Sequence, residues 1–247
     1  MLFATGDTHG DFRRFAPDIF YEAKDLTRDD YVLICGDFGG VWSETPPERK
    51  KLDLLEAMPF TTLFVDGNHE NFDKLYAFPE EFWHGGKVHI VRPHILHLMR
   101  GQIFDIEGRK FFTMGGASSH DIQDGILDPK SPTFKEEYMA LRSMYGMFRV
   151  KGLSWWEAEL PSKDEYAEAW RNLERANFSV DYIITHCCPT SIQGMIDPHF
   201  KRDSLTDFLE DIRVHTAFDH WLFGHYHDNR RFYTNFTLLY EQIVQVL

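Results

Sequence analysis

A short apolar run ends in an Asp-Thr-His turn within the stretch MLFATGDTHG, residues 1–10. Leu2–Thr5 has the length and apolar character of a buried β-strand. Gly6 and Gly10 flank Asp7-Thr8-His9, at a point where a sharp turn needs a permissive backbone. The chain therefore leaves a core strand directly into side chains that are able to bind a metal ion.

The same arrangement recurs twice in the first third of the chain. Tyr31–Cys35 is a second apolar run that ends at Gly36-Asp37, and Thr61–Val65 is a third that ends at Asp66-Gly67-Asn68-His69. The stretches between them have the spacing of helices. The apolar faces of these two helices comprise Phe12, Phe15, Ile19 and Phe20 in the first and Leu52, Leu55 and Met58 in the second. Alternation of strand and helix predicts parallel strands and an α/β fold.

The middle of the chain has a different pattern. An antiparallel meander is predicted by four short strand candidates: Lys87–Arg92, Ile95–Met99, Gln102–Ile106 and Lys110–Met114. From about residue 117 to 153 the composition is that of a long loop, and connections of this length are often functional. Two helices are expected after it, the second with Tyr166, Trp170 and Leu173 on one face. We expect one domain over residues 1–247, with a loop and helix insertion at about 117–177.

The last part of the chain returns to alternating strands and helices. Tyr182–Thr185 is a strand candidate that ends at His186, and Trp221–Phe223 is another that ends at Gly224-His225-Tyr226-His227. The segment Phe232–Leu247 predicts two more strands. The helix between the first two strands is predicted by the spacing of Leu205, Phe208, Leu209 and Ile212.

The composition excludes several classes of protein. The chain has 247 residues, of which 43% are hydrophobic and 15% aromatic, and this excludes a disordered chain. A net charge of −13 disfavours nucleic acid as a partner, although bound cations still permit a phosphate substrate. Three cysteines make no disulfide framework, no apolar run reaches the ~20 residues of a membrane helix, and the N-terminus lacks a secretory pattern. We therefore expect a cytoplasmic protein without a membrane partner.

Seven potential metal ligands occupy the ends of five strand candidates. The carboxyl ends of strands in an open parallel sheet meet at one crevice, so these residues are expected to come together there. A mixed oxygen and nitrogen set suits Mn, Fe or Zn better than Ca²⁺ or a thiolate zinc site. One ion rarely needs seven ligands, whereas two ions that share a bridging carboxylate use them naturally. The seven are Asp7, His9, Asp37, Asn68, His186, His225 and His227.

Five blocks in this order resemble the calcineurin-like metallophosphoesterase superfamily along almost the whole chain. They are Gly6-Asp7-Thr8-His9-Gly10, Gly36-Asp37-Phe38-Gly39-Gly40, Gly67-Asn68-His69-Glu70, Thr185-His186 and Gly224-His225-Tyr226-His227. The resemblance implies a four-layer α/β/β/α sandwich of two mixed sheets. It also implies two divalent metal ions, drawn from Mn, Fe, Zn or Ni, with Mn favoured.

The resemblance further implies a role for each residue of the site. One ion would be held by Asp7, His9 and His227, the other by Asn68, His186 and His225, and both by Asp37. His69 would lie beside the ions without binding them. It would contact the phosphate and protonate the leaving oxygen, and such a proton donor contributes ~10²–10⁴-fold to a rate.

The second block departs from that of the protein Ser/Thr phosphatase branch. There an Asp and an Arg follow after two intervening residues, and the corresponding positions here are Gly40 and Val41. The arginine that would grip phosphate and the aspartate that would orient His69 are both missing, which disfavours a protein phosphatase. Two further residues are expected to contact the substrate, His120 before the long loop and Arg230 after the last histidine pair.

The expected activity is hydrolysis of a phosphomonoester or phosphodiester by in-line attack of a hydroxide that bridges the two ions. Alternatives of the same class are a Ser/Thr protein phosphatase and a dinucleoside-polyphosphate hydrolase. An alternative of a different class is a metal-binding scaffold without catalysis. Scaffold members of the superfamily typically lose ligands or the acid histidine, and none is missing here.

Overall fold

The computed structural model describes residues 1–247 and contains fifteen strands and six α-helices. The strands are β1 (Leu2–Thr5), β2 (Tyr31–Ile34), β3 (Thr61–Phe64), β4 (Glu80–Trp83), β5 (Gly86–Arg92), β6 (Ile95–Leu98), β7 (Gln102–Ile106), β8 (Arg109–Met114), β9 (Ile126–Leu127), β10 (Arg149–Val150), β11 (Tyr182–Thr185), β12 (His220–Phe223), β13 (Arg230–Phe232), β14 (Phe236–Leu238) and β15 (Val244–Gln245). The helices are α1 (Pro46–Glu56), α2 (Phe72–Leu75), α3 (Phe134–Ser143), α4 (Lys163–Arg175), α5 (Thr190–Ile196) and α6 (Ser204–His215). None of these helices combines the length and the apolar character needed to cross a membrane.

Two mixed sheets form the centre of the molecule. The first sheet has the order β15-β1-β2-β3-β6-β5-β4, and the second has the order β13-β14-β12-β11-β8-β7. Strands β1, β2, β3 and β6 pair in parallel in the first sheet, as β8, β11, β12 and β14 do in the second. The remaining strands pair antiparallel at the edges of the two sheets. The predicted α/β class and its two mixed sheets are confirmed.

Three apolar clusters define four layers. The middle cluster takes buried side chains from both sheets, among them Leu33 and Phe111. A second cluster lies between the first sheet and α1 and includes Leu52, and a third lies between the second sheet and helices α4 and α6 and includes Leu209. Full burial of such a side chain contributes about 1.5–3 kcal/mol. The layers are therefore helices, sheet, sheet and helices, as the resemblance implied.

The helix expected around residues 12–20 is wrong. The structure has two 3₁₀ turns there, Arg13–Phe15 and Tyr21–Asp25. Pro17 supplies no backbone N–H, and the residue before it is extended, with ψ of 143°. Phe15 and Phe20 still pack below the first sheet, whereas Ile19 is 57% exposed. The apolar spacing thus indicated burial correctly for most of these residues but not the helix.

The predicted antiparallel meander is also wrong as a single unit. Strands β5 and β6 belong to the first sheet, whereas β7 and β8 belong to the second. The chain crosses between the sheets at 99–101, where Gly101 takes a φ of 70°. Strand β6 continues the parallel part of the first sheet, and the unpredicted strand β4 closes its edge. Local alternation predicted the strands but not which sheet each one joins.

The 117–177 segment contains more regular structure than expected. Helix α3 and the short parallel pair β9–β10 lie inside the stretch 117–153 that was predicted as loop, and no residue of α3 is buried. Helix α4 agrees with the prediction, and a capping box of Ser162 and Glu165 fixes its start. Helix α5 was not predicted. The segment 232–247 contains the two predicted strands, β14 and β15, and the unpredicted strand β13 comes just before them. That this segment is an insertion into one domain stays a prediction.

Candidate metal centre

The seven predicted ligands lie at the carboxyl ends of five strands taken from both sheets. Asp7 and His9 follow β1, Asp37 follows β2 and Asn68 follows β3, all in the first sheet. The second sheet contributes the rest: His186 after β11, and His225 and His227 after β12. The crevice was expected within one open parallel sheet. It is formed instead between the carboxyl ends of strands from the two packed sheets.

Asp7, His9 and His227 form the first group. Oδ2 of Asp7 lies 3.1 Å from Nε2 of His227 and 3.9 Å from Nε2 of His9, and the two imidazole nitrogens are 3.2 Å apart. Oδ1 of Asp7 is engaged elsewhere, because it accepts a hydrogen bond from the backbone N–H of His225. One carboxylate oxygen and two imidazole nitrogens thus face a common point.

Asp37 and His186 form the centre of the second group. Nε2 of His186 lies 3.3 Å from Oδ1 of Asp37. Nδ1 of His186 is 2.9 Å from the carbonyl oxygen of Cys35, so the ring donates there and turns Nε2 toward the cluster. The other oxygen of Asp37 lies 3.8 Å from Nδ1 of His9, in the first group. Asp37 therefore lies between the two groups.

Asn68 and His225 border the second group, in which Asp7 is the third residue beside Asp37 and His186. The side-chain amide of Asn68 donates to Oγ of Ser119 at 3.4 Å, which orients its oxygen away from that hydroxyl. The ring of His225 lies 4.9 Å from that of His186. Gly67 precedes Asn68, and a Cβ at Gly67 would lie 2.1 Å from Oδ1 of Asp37. Only glycine lets the chain pass so close to the carboxylate.

Three ligand atoms in this cluster are buried without a hydrogen-bond partner: Oδ2 of Asp7, Oδ1 of Asn68 and Nε2 of His186. Buried polar atoms are nearly always satisfied, so three such atoms in one place indicate a bound group. Carboxylate oxygen, amide oxygen and imidazole nitrogen are donors that divalent transition metals accept. The residues present therefore fit a pair of such ions.

The electrostatics of the cluster also favour bound cations. Burial lowers the pKa of His186, but the carboxylates of Asp37 and Asp7 overcome this and raise it above its ordinary value. Burial raises the pKa of Asp37, and the imidazoles of His186, His69 and His9 lower it below its ordinary value. The nearby carboxylate of Asp7, 3.1 Å from Nε2 of His227, raises the pKa of His227. Two fully buried carboxylates thus favour positive charge between them, which divalent cations supply.

Backbone strain is concentrated at the same residues. His9, Asp37, His225 and His227 all have left-handed φ angles, between 47° and 73°. Such conformations are costly for residues other than glycine, and they persist where the surrounding structure enforces them, typically at functional sites. Four of the seven candidate ligands adopt them, so the turns after the strands aim side chains at the crevice at the expense of backbone energy.

His69 lies at the edge of the cluster. Its backbone N–H donates to Oδ1 of Asp37 at 2.8 Å, and its ring lies 5.2 Å from that of His9. Nη2 of Arg149 is 3.4 Å from its Nε2. Burial lowers the pKa of His69, and the charge of Arg149 lowers it further. A cationic residue from the 117–177 segment thus lies beside His69, where the family's second block would place an aspartate.

The two residues predicted to contact substrate have different positions. Nε2 of His120 lies 3.2 Å from Nε2 of His225, and its ring stacks on Phe200 at 4.7 Å, so His120 borders the cluster. Arg230 lies in β13 with its guanidinium 4.7 Å from the Phe232 ring, and it makes no hydrogen bond or ion pair with the cluster. The structure brings the first residue to the site but not the second.

Sequence reasoning missed the residues that support the cluster from behind. Asp66, directly before Gly67, accepts from His97 at 3.0 Å and from Nε of Arg100 at 2.9 Å, with all three side chains buried. Glu159 accepts from Ser119, which holds Asn68. These partners come from distant strands and loops. Their only sequence signal is that each is a polar residue in or beside a predicted strand or loop.

Known proteins resemble this chain over most of its length. A family model described as calcineurin-like phosphoesterase matches residues 2–229. The lariat debranching enzyme of Danio rerio is 28% identical over 156 residues, which cover 57% of this chain and 26% of that protein. Lariat debranching enzyme A of Xenopus laevis is 26% identical over 156 residues, which cover 57% of this chain and 27% of that protein. The chain thus spans about a quarter of the length of these curated relatives.

Proposed function

Because the chain belongs to the calcineurin-like phosphoesterase family, we propose that it hydrolyses phosphate esters with the help of two divalent metal ions. The observation that carries the proposal is the set of unpartnered buried ligand atoms on Asp7, Asn68 and His186. A structural polar cluster would satisfy these atoms internally. A scaffold without catalysis is disfavoured, because the proton-donor candidate His69 also borders the cluster.

Each ion takes ligands from both sheets. Asp7, His9 and His227 would hold one ion, Asn68, His186 and His225 would hold the other, and Asp37 would be shared between them. The distances of Asp37 to His186 and His9 support the shared role. Cys35 and Ser119 orient two of the ligands by hydrogen bonds.

When bound, the ions lower the pKa of water to provide hydroxide for in-line attack and neutralise charge on the phosphoryl oxygens. The donor set suits Mn, Fe, Zn or Ni, and Mn is favoured. His69 contacts the phosphoryl group and gives a proton to the leaving oxygen. The hydrogen bond from the backbone N–H of His69 to Oδ1 of Asp37 keeps this proton donor beside the phosphoryl group.

The substrate is a phosphomonoester or phosphodiester whose organic part lies beside His120. A cleft of about 530 Å³ opens there, and its lining includes Phe200, Lys201 and Arg202. The ring of Phe200 and the ammonium of Lys201 suit a planar or anionic leaving group, whereas Arg202 is paired with Asp207. The related proteins named lariat debranching enzymes support ester hydrolysis as the reaction class. A Ser/Thr protein phosphatase or a dinucleoside-polyphosphate hydrolase is the alternative.

The test is hydrolysis of bis-p-nitrophenyl phosphate and p-nitrophenyl phosphate by Mn-loaded protein, with metal content measured by mass spectrometry. Asp37→Asn should lower both activity and bound metal. Asp53→Asn removes the same charge from an exposed position in α1 and should change neither. Diester cleavage favours a phosphodiesterase, and cleavage of the monoester alone favours a phosphatase. Wild-type protein that binds no metal and cleaves neither ester would refute the proposal.

A further inference from the structure

Arg149 brings a guanidinium group from the 117–177 segment to the side of the candidate metal centre. It is the first residue of β10, and its Nη2 lies 3.4 Å from Nε2 of His69 although 80 residues separate them. Its side chain is 16% exposed, so the group is largely enclosed but still reachable from the crevice. No other arginine hydrogen-bonds the side chain of a candidate ligand or of His69. Arg14 reaches Asp7 as well, but only its backbone carbonyl oxygen.

The guanidinium is held in a fixed orientation. Nε donates to the two carboxylate oxygens of Asp121 at 2.8 and 2.9 Å, and Nη2 lies 2.6 Å from the same carboxylate. Nη1 donates to the carbonyl oxygen of Ser154 at 3.4 Å. A carboxylate bound side-on in this way orients the planar group as well as pairing with its charge.

The hydrogen-bond inventory leaves donors free on the side of His69. A guanidinium has five N–H groups. Asp121 takes the Nε–H and one N–H of Nη2, and Ser154 takes one N–H of Nη1. One N–H on each terminal nitrogen remains outside these contacts, and that on Nη2 meets only the ring of His69, at 3.4 Å, a contact that a phosphoryl oxygen can replace. Two adjacent donors on one edge match two oxygens of a phosphoryl group.

We propose that Arg149 binds the phosphoryl oxygens of the substrate through this free edge, and that Asp121 is its positioning residue. The inference rests on the proposed phosphoesterase function. It assigns to the 117–177 segment the phosphate-binding arginine that is missing after Asp37, where Gly40 and Val41 stand. The chain as a whole carries a charge of −13, so a cation fixed at this point is what admits an anionic ester.

The experiment measures binding of inorganic phosphate by titration calorimetry and hydrolysis of p-nitrophenyl phosphate, both with Mn-loaded protein. Arg149→Gln should weaken phosphate binding and raise KM about ten- to hundredfold, as expected for loss of a charged hydrogen-bond pair. Its content of bound Mn should stay unchanged. Asp121→Asn keeps the cation but loosens it, and a smaller loss is expected. Arg149→Lys keeps the charge without the two-donor edge and should recover only part of the loss.

Arg142→Gln is the matched control, because Arg142 is exposed on α3 in the same segment and its side chain makes no hydrogen bond or ion pair. Millimolar guanidinium should restore activity to Arg149→Ala but not to Asp37→Asn, an effect that a purely structural role would not give. Equal phosphate affinity in Arg149→Gln and Arg142→Gln, with an active wild type, would overturn the inference alone. Failure of the wild type to bind phosphate or cleave the ester would instead overturn the proposed function.

Discussion

Arg100→Met should be among the most destabilising single substitutions in the protein. The guanidinium of Arg100 is buried, and it donates from Nε to Oδ2 of Asp66 at 2.9 Å and from Nη2 to the carbonyl oxygen of Ala158 at 2.7 Å. Burial raises the pKa of Asp66, but Arg100 and His97 overcome this and keep it well below its ordinary value. Methionine preserves the apolar stem and removes the charge.

The expected cost follows from what remains after the substitution. Asp66 would be a fully buried carboxylate with only His97 as a side-chain partner. Breaking a buried ion pair by removing one partner costs about 3–5 kcal/mol, because the other charge stays uncompensated. Arg92→Met removes an ion pair that is exposed and 3.8 Å long, with Asp53 as partner, and should cost at most about 1 kcal/mol.

Urea unfolding of both variants, with chelator present so that metal binding does not contribute, gives the two free energies. With a slope of about 3 kcal/mol per molar urea, Arg100→Met should lower the midpoint by roughly 1–2 M. Adding Asp66→Asn to Arg100→Met removes the stranded charge, and the amide oxygen can still accept from His97. The double variant should therefore be more stable than the sum of the two single changes predicts. Additive costs, or a cost no larger than that of Arg92→Met, would refute the reasoning.

Three further predictions concern the site and its surroundings. Gly36→Ala should weaken Mn binding measured by calorimetry, because Gly36 has φ of 96° and a Cβ there would lie 2.1 Å from Nδ1 of His186. Gly108→Ala is the control: Gly108 has φ of 75° but no atom lies within 4 Å of the added Cβ, so only the backbone cost of roughly 1–2 kcal/mol is expected. Burial raises the pKa of Glu159 above 4.5, so the stability that its proton contributes is complete below that pH and is lost as pH rises through the folded-state pKa. Glu159→Gln should therefore flatten the dependence of the unfolding free energy on pH, and an unchanged slope would contradict this. The three cysteines are buried and burial raises the pKa of each thiol, so iodoacetamide at about pH 8 should label them in urea but not in the native protein, and native labelling of any one would disprove their enclosure.

The strand-end residues could be predicted from the sequence because their signal is local. A buried strand such as Leu2–Thr5 is recognisable from its own residues, and the turn that follows places Asp7 and His9 whatever the rest of the chain does. The same holds for Asp37 after β2 and His186 after β11. Parallel pairing brings together the residues within each sheet, and strand and helix alternation already implies it. That Asp37 meets His186 depends on the packing of the two sheets, which the alternation does not predict.

Features that depend on partners far away in the chain were not predictable in this way. Alternation in Gln102–Ile106 predicts a strand, but its assignment to the second sheet depends on pairing with β8, which in turn pairs with β11. The apolar spacing of residues 12–20 is that of a buried face, yet Pro17 and the first sheet determine that the face is built from turns. The spacing of apolar residues thus indicates which of them are buried, whereas contacts with distant strands decide whether they form a helix, a strand or a turn.

The position of Arg149 also depends on contacts with residues far away in the chain, and for this reason the 117–177 segment shows little sequence signal. Helix α3 has no buried residue, so nothing selects an apolar period there. The loop part of the segment is instead held together by the two-residue pair β9–β10 and the Asp121–Arg149 contact. It is attached to the rest of the molecule by the indole N–H of Trp156, which donates to Asp73 at 2.8 Å, and by the apolar face of α4 that follows it. Polar attachments of this kind leave no repeat in the sequence, but they can present a charged group to a crevice, which an apolar face cannot do. The stretch with the weakest pattern is therefore the one able to carry a guanidinium to the edge of the metal centre.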